Sequence, residues 1–267
     1  MSNTVEEQQI ITERRGRVQW VTFNRPEARN AMTWYMYDRL VEICGEVNRD
    51  REVRALVMTG ASAERPAFVA GTDIAQFRSF ETEQDALDYE AHGNHVMGTI
   101  ESVRVPTIAA IAGPCTGGGA AIAASCDIRI ASPSARYGFP IARTLGNCLS
   151  TQNLARLMAL LGMARTKDLL LTARLMDAPE MLSSGLVSEI VADEPSLLPR
   201  TQELAERLAG HAPLTMAATK EGLRRIRNRL VQGEDDHDLI LSCYMSADFK
   251  EGVEAFLAKR RPDWRGV

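Results

Sequence analysis

The sequence predicts an α/β protein, and three observations carry that prediction. Over the first ~150 residues, short apolar runs that stop at Gly or Pro alternate with helical stretches. Two of those runs end in glycine-containing turns, "FVAGTD" at Phe68–Asp73 and "AGPCTGGGA" at Ala112–Ala120. Beyond Ser150 the pattern becomes almost wholly helical. Strands alternating with helices imply a mainly parallel sheet, and such sheets bind ligands at their strand ends.

Taken in order, "GRVQWVTFNRP" alternates apolar and polar residues and stops at a proline, which predicts a strand. "TWYMYDRLVEICGEVNRD" has helical periodicity behind a Thr cap. "VRALVMTG" and "PAFVAGTD" are short apolar runs stopped by Gly, the pattern of buried strands. "EQDALDYEAHGNHVMGTIESV" predicts a helix weakened at Gly93, where Gly93-Asn94 marks a break or a flexible cover. "VPTIAAIAG" is another buried strand, the glycine triplet opens a helix, and "CDIRIAS" and "ARYGF" are short strands. Further on, "TQNLARLMALLG", "RTKDLLLTA", "APEMLSSG", "SLLPRTQELAERLAGH", "PLTMAATKEGLRRIRNRLV" and "EDDHDLILSCYMSADFKEGVEAFLAKRR" predict helices, with "LVSEIVA" the one clear strand. The sequence shows no linker, low-complexity segment or repeat.

The 267 residues allow one large domain or two modest ones. With 45% apolar and 25% charged residues, the composition is that of an ordinary soluble globular protein. A net charge of −4 argues against a nucleic-acid partner. The basic segment "KEGLRRIRNRL" does not reverse this. Its Lys220, Arg224, Arg225, Arg227 and Arg229 fall on more than one helix face with no aromatic residue between them. The cysteines at 44, 115, 126, 148 and 243 form no C-x-x-C pair, and the histidines give no zinc spacing. An odd count suits free thiols in a reducing compartment. The polar, acidic start "MSNTVEEQQI" reads neither as a secretory signal nor as a transit peptide. The apolar runs are too short for a bilayer span. The expectation is a cytoplasmic protein with no membrane association and no metal.

At both glycine turns a strand ends and the backbone turns with its N–H groups free. The second turn also opens a helix, whose dipole adds partial positive charge. Facing each other, the two turns would make a two-donor pocket for a developing oxyanion. Taken singly, each reads more readily as a tight turn packed for steric reasons.

The segments "VTFNRPEARNAM", "FVAGTDIAQF", "GPCTGGGAAIAASCDIRIAS", "YGFP", "LLLTARLMDAPEMLSSGLVSEIV", "APLTMAATKEGLRR" and "SADFKEGVEAFLAKRRP" together resemble the crotonase (enoyl-CoA hydratase/isomerase) family, in order and over nearly the whole chain. The resemblance implies a crotonase-like spiral of repeated ββα units over residues 1–200. It implies a helical C-terminal region, 201–267, that covers the active site and makes homotrimers, which pair into hexamers. It implies an acyl-CoA thioester as substrate, with coenzyme A entering as part of that substrate and no further cofactor. It places the thioester oxygen between the backbone N–H groups of Ala70 and Gly118, with Gly71, Thr72, Asp73 and Gly117 around them. Chemistry beside a thioester passes through an enolate or a tetrahedral anion, and fixed donors aimed at that charge stabilise it. Thr72 lines the pocket on this reading, and Asp73 caps the short helix "IAQF".

One departure from the family pattern bears on the reaction. Enoyl-CoA hydratases of this family carry one glutamate two residues past the glycine triplet and a second just after the segment that reads "YGFP" here. These positions are Ala121 and Ile141. The two carboxylates hold and activate water, and neither Ala nor Ile can move a proton. The readings left open are a hydratase or isomerase with another acid or base, a CoA decarboxylase, a hydrolase, and a catalytically silent CoA-binding protein. A decarboxylase needs an enolate pocket more than a strong base.

Substitute groups are sought in "ARTLGNCLST", Ala142–Thr151. Cys148 is the most reactive type there, and Asn147, Ser150 and Thr151 are polar. Arg143 would lower a thiol pKa or bind a substrate carboxylate. The plainer reading makes Cys148 a small buried hydrophobe and Arg143 a surface residue. His92 and His95 are further candidates, against a reading as solvated polar residues. Tyr137 occupies a usually aromatic position that core packing explains. A working enzyme is expected to place Cys148, Asn147, Ser150 or His95 beside the thioester α and β carbons, and a silent binder only apolar side chains. For CoA itself the resemblance implies Ala28 and Arg29 beside the pantetheine and phosphates, and Phe256 with Lys259 at the nucleotide end. The bland alternative for "KRRPDWR" is a basic, solvated tail.

Overall fold

Every strand that the sequence predicts is paired parallel to a neighbour, and the pairs fall into two sheets. The computed structural model describes residue 6 and residues 8–61, 64–232 and 235–267. One sheet contains β1 (Ile10–Arg15), β2 (Val18–Phe23), β3 (Ala55–Gly60), β5 (Thr107–Ile111), β7 (Ile128–Ala131) and β10 (Glu189–Ile190), in the order β1-β2-β3-β5-β7-β10. The other contains β4 (Val69–Ala70), β6 (Pro114–Thr116), β8 (Arg136–Gly138) and β9 (Met176–Asp177), in the order β4-β6-β8-β9. The chain therefore lays one strand in each sheet and returns through a helix, three times over. The units are β3, β4 and the helix Glu83–Glu101; β5, β6 and Gly118–Ser125; β7, β8 and Thr151–Leu171. This is the ββα winding that the resemblance implies.

Both faces of the larger sheet are covered, which is why β3 and β5 read as unbroken apolar runs rather than as alternating ones. Leu56, Met58, Ala109 and Ile111 pack in the main core with Leu40, Ile43 and Ile100 of the helices Trp34–Arg49 and Glu83–Glu101. Val57, Ile108, Ala110 and Ile130 face Leu197, Leu204 and Ala205 of the helix Leu197–Ala209 on the other side. The boundary expected at residues 200 and 201 thus falls inside a helix that the sheet needs as its second cover. That helix ends at Ala209, and among the described residues only helical elements follow it.

Other expectations are corrected at particular residues. The helix Glu83–Glu101 runs through Gly93 without a break, held by Ala86, Val96, Met97 and Ile100 on its buried face. The last predicted helix is two helices, His237–Tyr244 and Ala247–Leu257, and the Ser246 hydroxyl caps the second by accepting the Phe249 N–H. The two predicted helices of 151–173 meet at Gly162, which takes φ +73°. The sequence pattern does not predict β1, β6 or β9: β1 exposes most of its residues, and the other two are two or three residues long. The tail "KRRPDWR" is not free, because Asp248 accepts the N–H groups of Arg265 and Gly266.

The charges of the basic helix Pro213–Asn228 are paired, two of them with the core and two within the helix itself. Lys220 pairs with Asp127, Arg224 and Arg225 pair with Glu221, and Arg227 pairs with Glu101. Glu101 is also bridged by Arg156 at 3.1 and 3.2 Å, and both side chains are almost wholly buried. Burial works to raise the Glu101 pKa, and the two guanidiniums overcome it and hold the carboxyl below its usual range. Among the described residues no helix is long and apolar enough to cross a membrane.

Glu101→Gln leaves Arg156 buried without its counter-charge. The substitution is expected to lower the unfolding free energy by about 3 kcal/mol, read as an earlier urea midpoint. A loss under about 0.5 kcal/mol, the size typical of surface substitutions, would show that the triad is not holding the C-terminal helix in place.

Candidate active site

β4 and β6 lie side by side, with Val69 opposite Cys115 and Ala70 opposite Thr116, so the two glycine turns emerge together. Each glycine of the triplet answers a different constraint. Gly117 takes φ +52° as the residue before the helix Gly118–Ser125, and a Cβ on it would lie 3.5 Å from Gly71 Cα. A Cβ on Gly118 would sit 2.1 Å from the Tyr37 hydroxyl. One on Gly119 would sit 2.2 Å from the Val69 carbonyl oxygen, so the first helical turn rests directly on β4.

The hydrogen bonds decide which backbone donors are free. The Ala70 N–H donates to the Arg29 carbonyl at 3.0 Å, so the expected donor at Ala70 is already committed. The chain then bridges to Met32, whose N–H donates to the Gly71 carbonyl and whose carbonyl accepts the Asp73 N–H. Among the described residues the Thr72 N–H between them has no backbone acceptor. On the other turn the Gly117 N–H donates to the Gly138 carbonyl, and the first helical bond runs from the Ala121 N–H to the Gly117 carbonyl. Gly118 is the first residue of that helix, where an N–H has no partner within the helix. The free pair is therefore Thr72 and Gly118, with Thr72 taking the place expected of Ala70 in the first turn. The turn around Thr72 is braced by its side chain: Oγ1 is 2.9 Å from the Tyr37 hydroxyl and 3.4 Å from that of Tyr89.

Both turns open into a cavity of about 140 Å³, walled mainly by apolar side chains such as Trp34, Phe77, Phe139 and Leu149. Ala121 and Ile141, which stand where the resemblance places glutamates, both line it. Phe256 reaches the cavity from the helix Ala247–Leu257. That helix is seated by Gly252, where a Cβ would fall 2.3 Å from the Leu145 carbonyl oxygen.

Of the polar candidates, Asn147 lines the cavity, whereas Cys148, Ser150, Thr151 and His95 are not on its wall. Cys148, the expected catalytic candidate, thus stands behind the wall that its neighbour Asn147 lines. Burial, and then the neighbouring Cys243, push its thiol well above the ordinary range, the reverse of an activated thiolate. Ser150 donates to Asn94, and Thr151 is bound to Asp236 through both its N–H and its hydroxyl. Arg143 is exposed and off the cavity wall. His92 does reach the cavity, with Nε2 3.1 Å from Asp38. Asp73 caps the following short helix through the Ala75 N–H and is also held by Arg25 at 3.0 Å. Tyr137 is core, its hydroxyl bonded to the Ala120 carbonyl. Arg29 and Lys259 are exposed with left-handed backbones, and Ala28 is half-buried at the end of a short 3-10 helix.

Glu90 is the residue that sequence reasoning misses. It is a carboxylate on the cavity wall, buried, accepting the Tyr244 hydroxyl at 2.6 Å. Burial pushes its pKa up to about 7, the Tyr244 hydrogen bond acts against this, and the Asp236 charge adds to it. A sequence signal for it exists. Ala86, Glu90 and Met97 share one helix face, so a carboxylate interrupts a buried stripe.

The sequence profile of the enoyl-CoA hydratase/isomerase family matches residues 13–267. The chain belongs to this family. It is 36% identical over 259 residues to the short-chain-enoyl-CoA hydratase of Clostridium acetobutylicum, covering 94% of this chain and 95% of that one. It superimposes with a TM-score of 0.77 on an enoyl-CoA hydratase/carnithine racemase structure from Magnetospirillum magneticum, at 31% identity, covering 97% of this chain and 96% of the other. With a structure of methylmalonyl-CoA decarboxylase in complex with 2-nitronate-propionyl-CoA the TM-score is 0.88, at 26% identity, covering 97% and 99%. The chain is an acyl-CoA-processing enzyme of the crotonase family, close to the hydratase/isomerase group.

Two outcomes follow from these environments. At pH 8 Cys148 is expected to react with iodoacetamide far more slowly in the folded protein than in urea. Equal rates by peptide mass spectrometry would contradict the raised thiol pKa. For Glu90 the native state keeps a proton that the unfolded chain releases above its ordinary value of 4.5. Stability is thus lost as pH rises from 4.5 to about 7. Glu90→Gln is expected to flatten that part of the curve of unfolding free energy against pH.

Proposed function

We propose that the protein takes an acyl-CoA thioester with its carbonyl oxygen between the Thr72 and Gly118 N–H groups and stabilises the enolate that forms at the α-carbon. The observation that carries this reading is the convergence of two free backbone donors at one end of a mainly apolar cavity. In such surroundings a fixed N–H is worth much more to a developing anion than in water. The favoured reaction is hydration or isomerisation of an enoyl thioester, in line with the hydratase activity of the Clostridium relative. A decarboxylase is the second reading, favoured by the apolar Ala121 and Ile141 and by the decarboxylase likeness.

Phe256 serves as the apolar edge for the CoA moiety, with Ala28, Arg29 and Lys259 outside the cavity along its path. Self-association into trimers or hexamers is supported by Leu223, Ile226 and Leu230, exposed at helical spacing along 213–231. A cytoplasmic setting suits the five cysteines, all of which are free.

Purified protein is to be given crotonyl-CoA, longer 2- and 3-enoyl-CoAs, malonyl- and methylmalonyl-CoA and 3-hydroxyacyl-CoAs, with products followed by mass spectrometry. Water addition or a double-bond shift is expected, and loss of CO₂ would select the second reading. CoA binding without turnover on any member would refute the enzyme reading. The oxyanion donor is tested by Gly118→Pro in a Tyr37→Phe background. Proline at the first helical position removes the N–H at little cost to the helix, and the missing Tyr37 hydroxyl relieves the closest contact of its Cβ, leaving Thr72 Oγ1 at 3.1 Å. A fall in kcat on the order of 100-fold relative to Tyr37→Phe alone is expected.

A further inference from the structure

We propose that Glu90, Tyr244 and Asn147 form the proton-transfer end of the cavity, with Glu90 the acid–base group and Asn147 Oδ1 the acceptor that orients an incoming water. The assignment rests on the reading of the cavity as an acyl-CoA enolate site.

Three observations outside the two glycine turns carry it. Glu90 and Asn147 come from different segments and both line the cavity, and one tyrosine hydroxyl joins them. Asn147 Nδ2 donates to Tyr244 Oη at 3.1 Å, and Tyr244 Oη donates to Glu90 Oε1 at 2.6 Å. Tyr244 itself stays neutral, because burial and then the Glu90 charge hold its phenol well above its ordinary range. The second observation is an orphan. Asn147 Oδ1 is buried and has no hydrogen-bond donor among the described residues. A buried carbonyl left in this state has lost its water without gaining a donor, a deficit that a bound O–H removes. Third, Glu90 borders a second, outer cleft as well as the cavity. A proton taken up inside can therefore exchange with solvent through the same carboxyl. The titratable groups around Glu90 are Tyr244, Tyr89, Tyr37, Cys148 and, on the same cavity wall, His92, with Asp235, Asp236, His95 and His237 along the outer cleft. With a pKa of about 7, the carboxyl gains and gives up a proton near neutrality.

The step balances as follows. Water donates one O–H to Asn147 Oδ1 and the other to the Glu90 carboxylate. Glu90 takes that proton as the oxygen bonds to the β-carbon of a 2-enoyl thioester. The double-bond pair moves to the thioester oxygen, held by the Thr72 and Gly118 N–H groups. The enolate then collapses and the α-carbon takes the proton back from Glu90. The net change is addition of one water, with no oxidation or reduction.

The test compares wild type with Glu90→Gln, Glu90→Asp, Tyr244→Phe and Asn147→Leu in two assays. These are hydration of crotonyl-CoA across pH 5–9 and exchange of the α-hydrogens of butyryl-CoA in deuterated water. Wild type is expected to show a rate that rises with pH through a midpoint near 7. Glu90→Gln is expected to lose about 100-fold or more in kcat in both assays with KM held within a few-fold, and Glu90→Asp to recover part of it. Tyr244→Phe removes a hydrogen bond to the charged form, so the rising limb moves to higher pH. Asn147→Leu is expected to lose hydration and keep exchange. If wild type turns over while Glu90→Gln keeps its rate and its limb, Glu90 is not the acid–base group and the enolate reading stands. An unmoved limb in Tyr244→Phe likewise overturns the assignment, and it decides the matter independently should Glu90→Gln fail to fold. If wild type processes no thioester in the panel, the enolate reading fails and this one with it.

Discussion

The first turn of the helix Gly118–Ser125 packs on β4 with no side chain between them, and the rest of the site depends on that contact. The distance from the Gly119 position to the Val69 carbonyl leaves no room for a Cβ. The close approach brings the start of a helix, with its unpartnered N–H groups and dipole, against the turn that follows β4. An anion site made this way requires no charged side chain. These backbone donors stand in a cavity whose walls are mainly apolar.

Because the backbone supplies the donors, the side chains at Ala121 and Ile141 are free to vary. Apolar residues at those two positions leave the backbone donors of both turns in place. Glu90, another polar group of the cavity, stands on the helix Glu83–Glu101, against which the helix His237–Tyr244 packs. Tyr244 belongs to the C-terminal part and Glu90 to the core, so the buried bond between them is formed only when the two parts are docked. The Glu101 ion triad and the Gly252–Leu145 contact hold the same docking from either side. The C-terminal helices thus complete the cavity as well as cover it.

Local physics and short motifs are legible along the chain. The apolar runs of β3 and β5, the Thr33 cap, the Asp73 cap and the pairing of two glycine turns are all readable. They depend on neighbours within a few residues, or on the rule that parallel strands are buried on both faces. β6 and β9 are not readable, because β6 lies inside the glycine turn and β9 runs straight into a helix, so each is defined by its partner rather than by an apolar run of its own. Gly93 reads as a weak point only while its helix is judged without the packing that buries the opposite stripe.

The site divides along the same line. The sequence by itself determined that the protein is α/β, that it has the family's ββα winding, and that two glycine turns at strand ends carry backbone donors. Only the tertiary structure decided which donors are free, because the Ala70 N–H is claimed by the carbonyl of Arg29, far earlier in the chain. Only it showed that Cys148 turns away from the cavity while Asn147, its neighbour, turns in. And only it joined Glu90 to a tyrosine 154 residues further on. Hydrogen-bond accounting and burial are properties of the folded assembly, and a sequence pattern fixes them only when both partners lie in the same local motif.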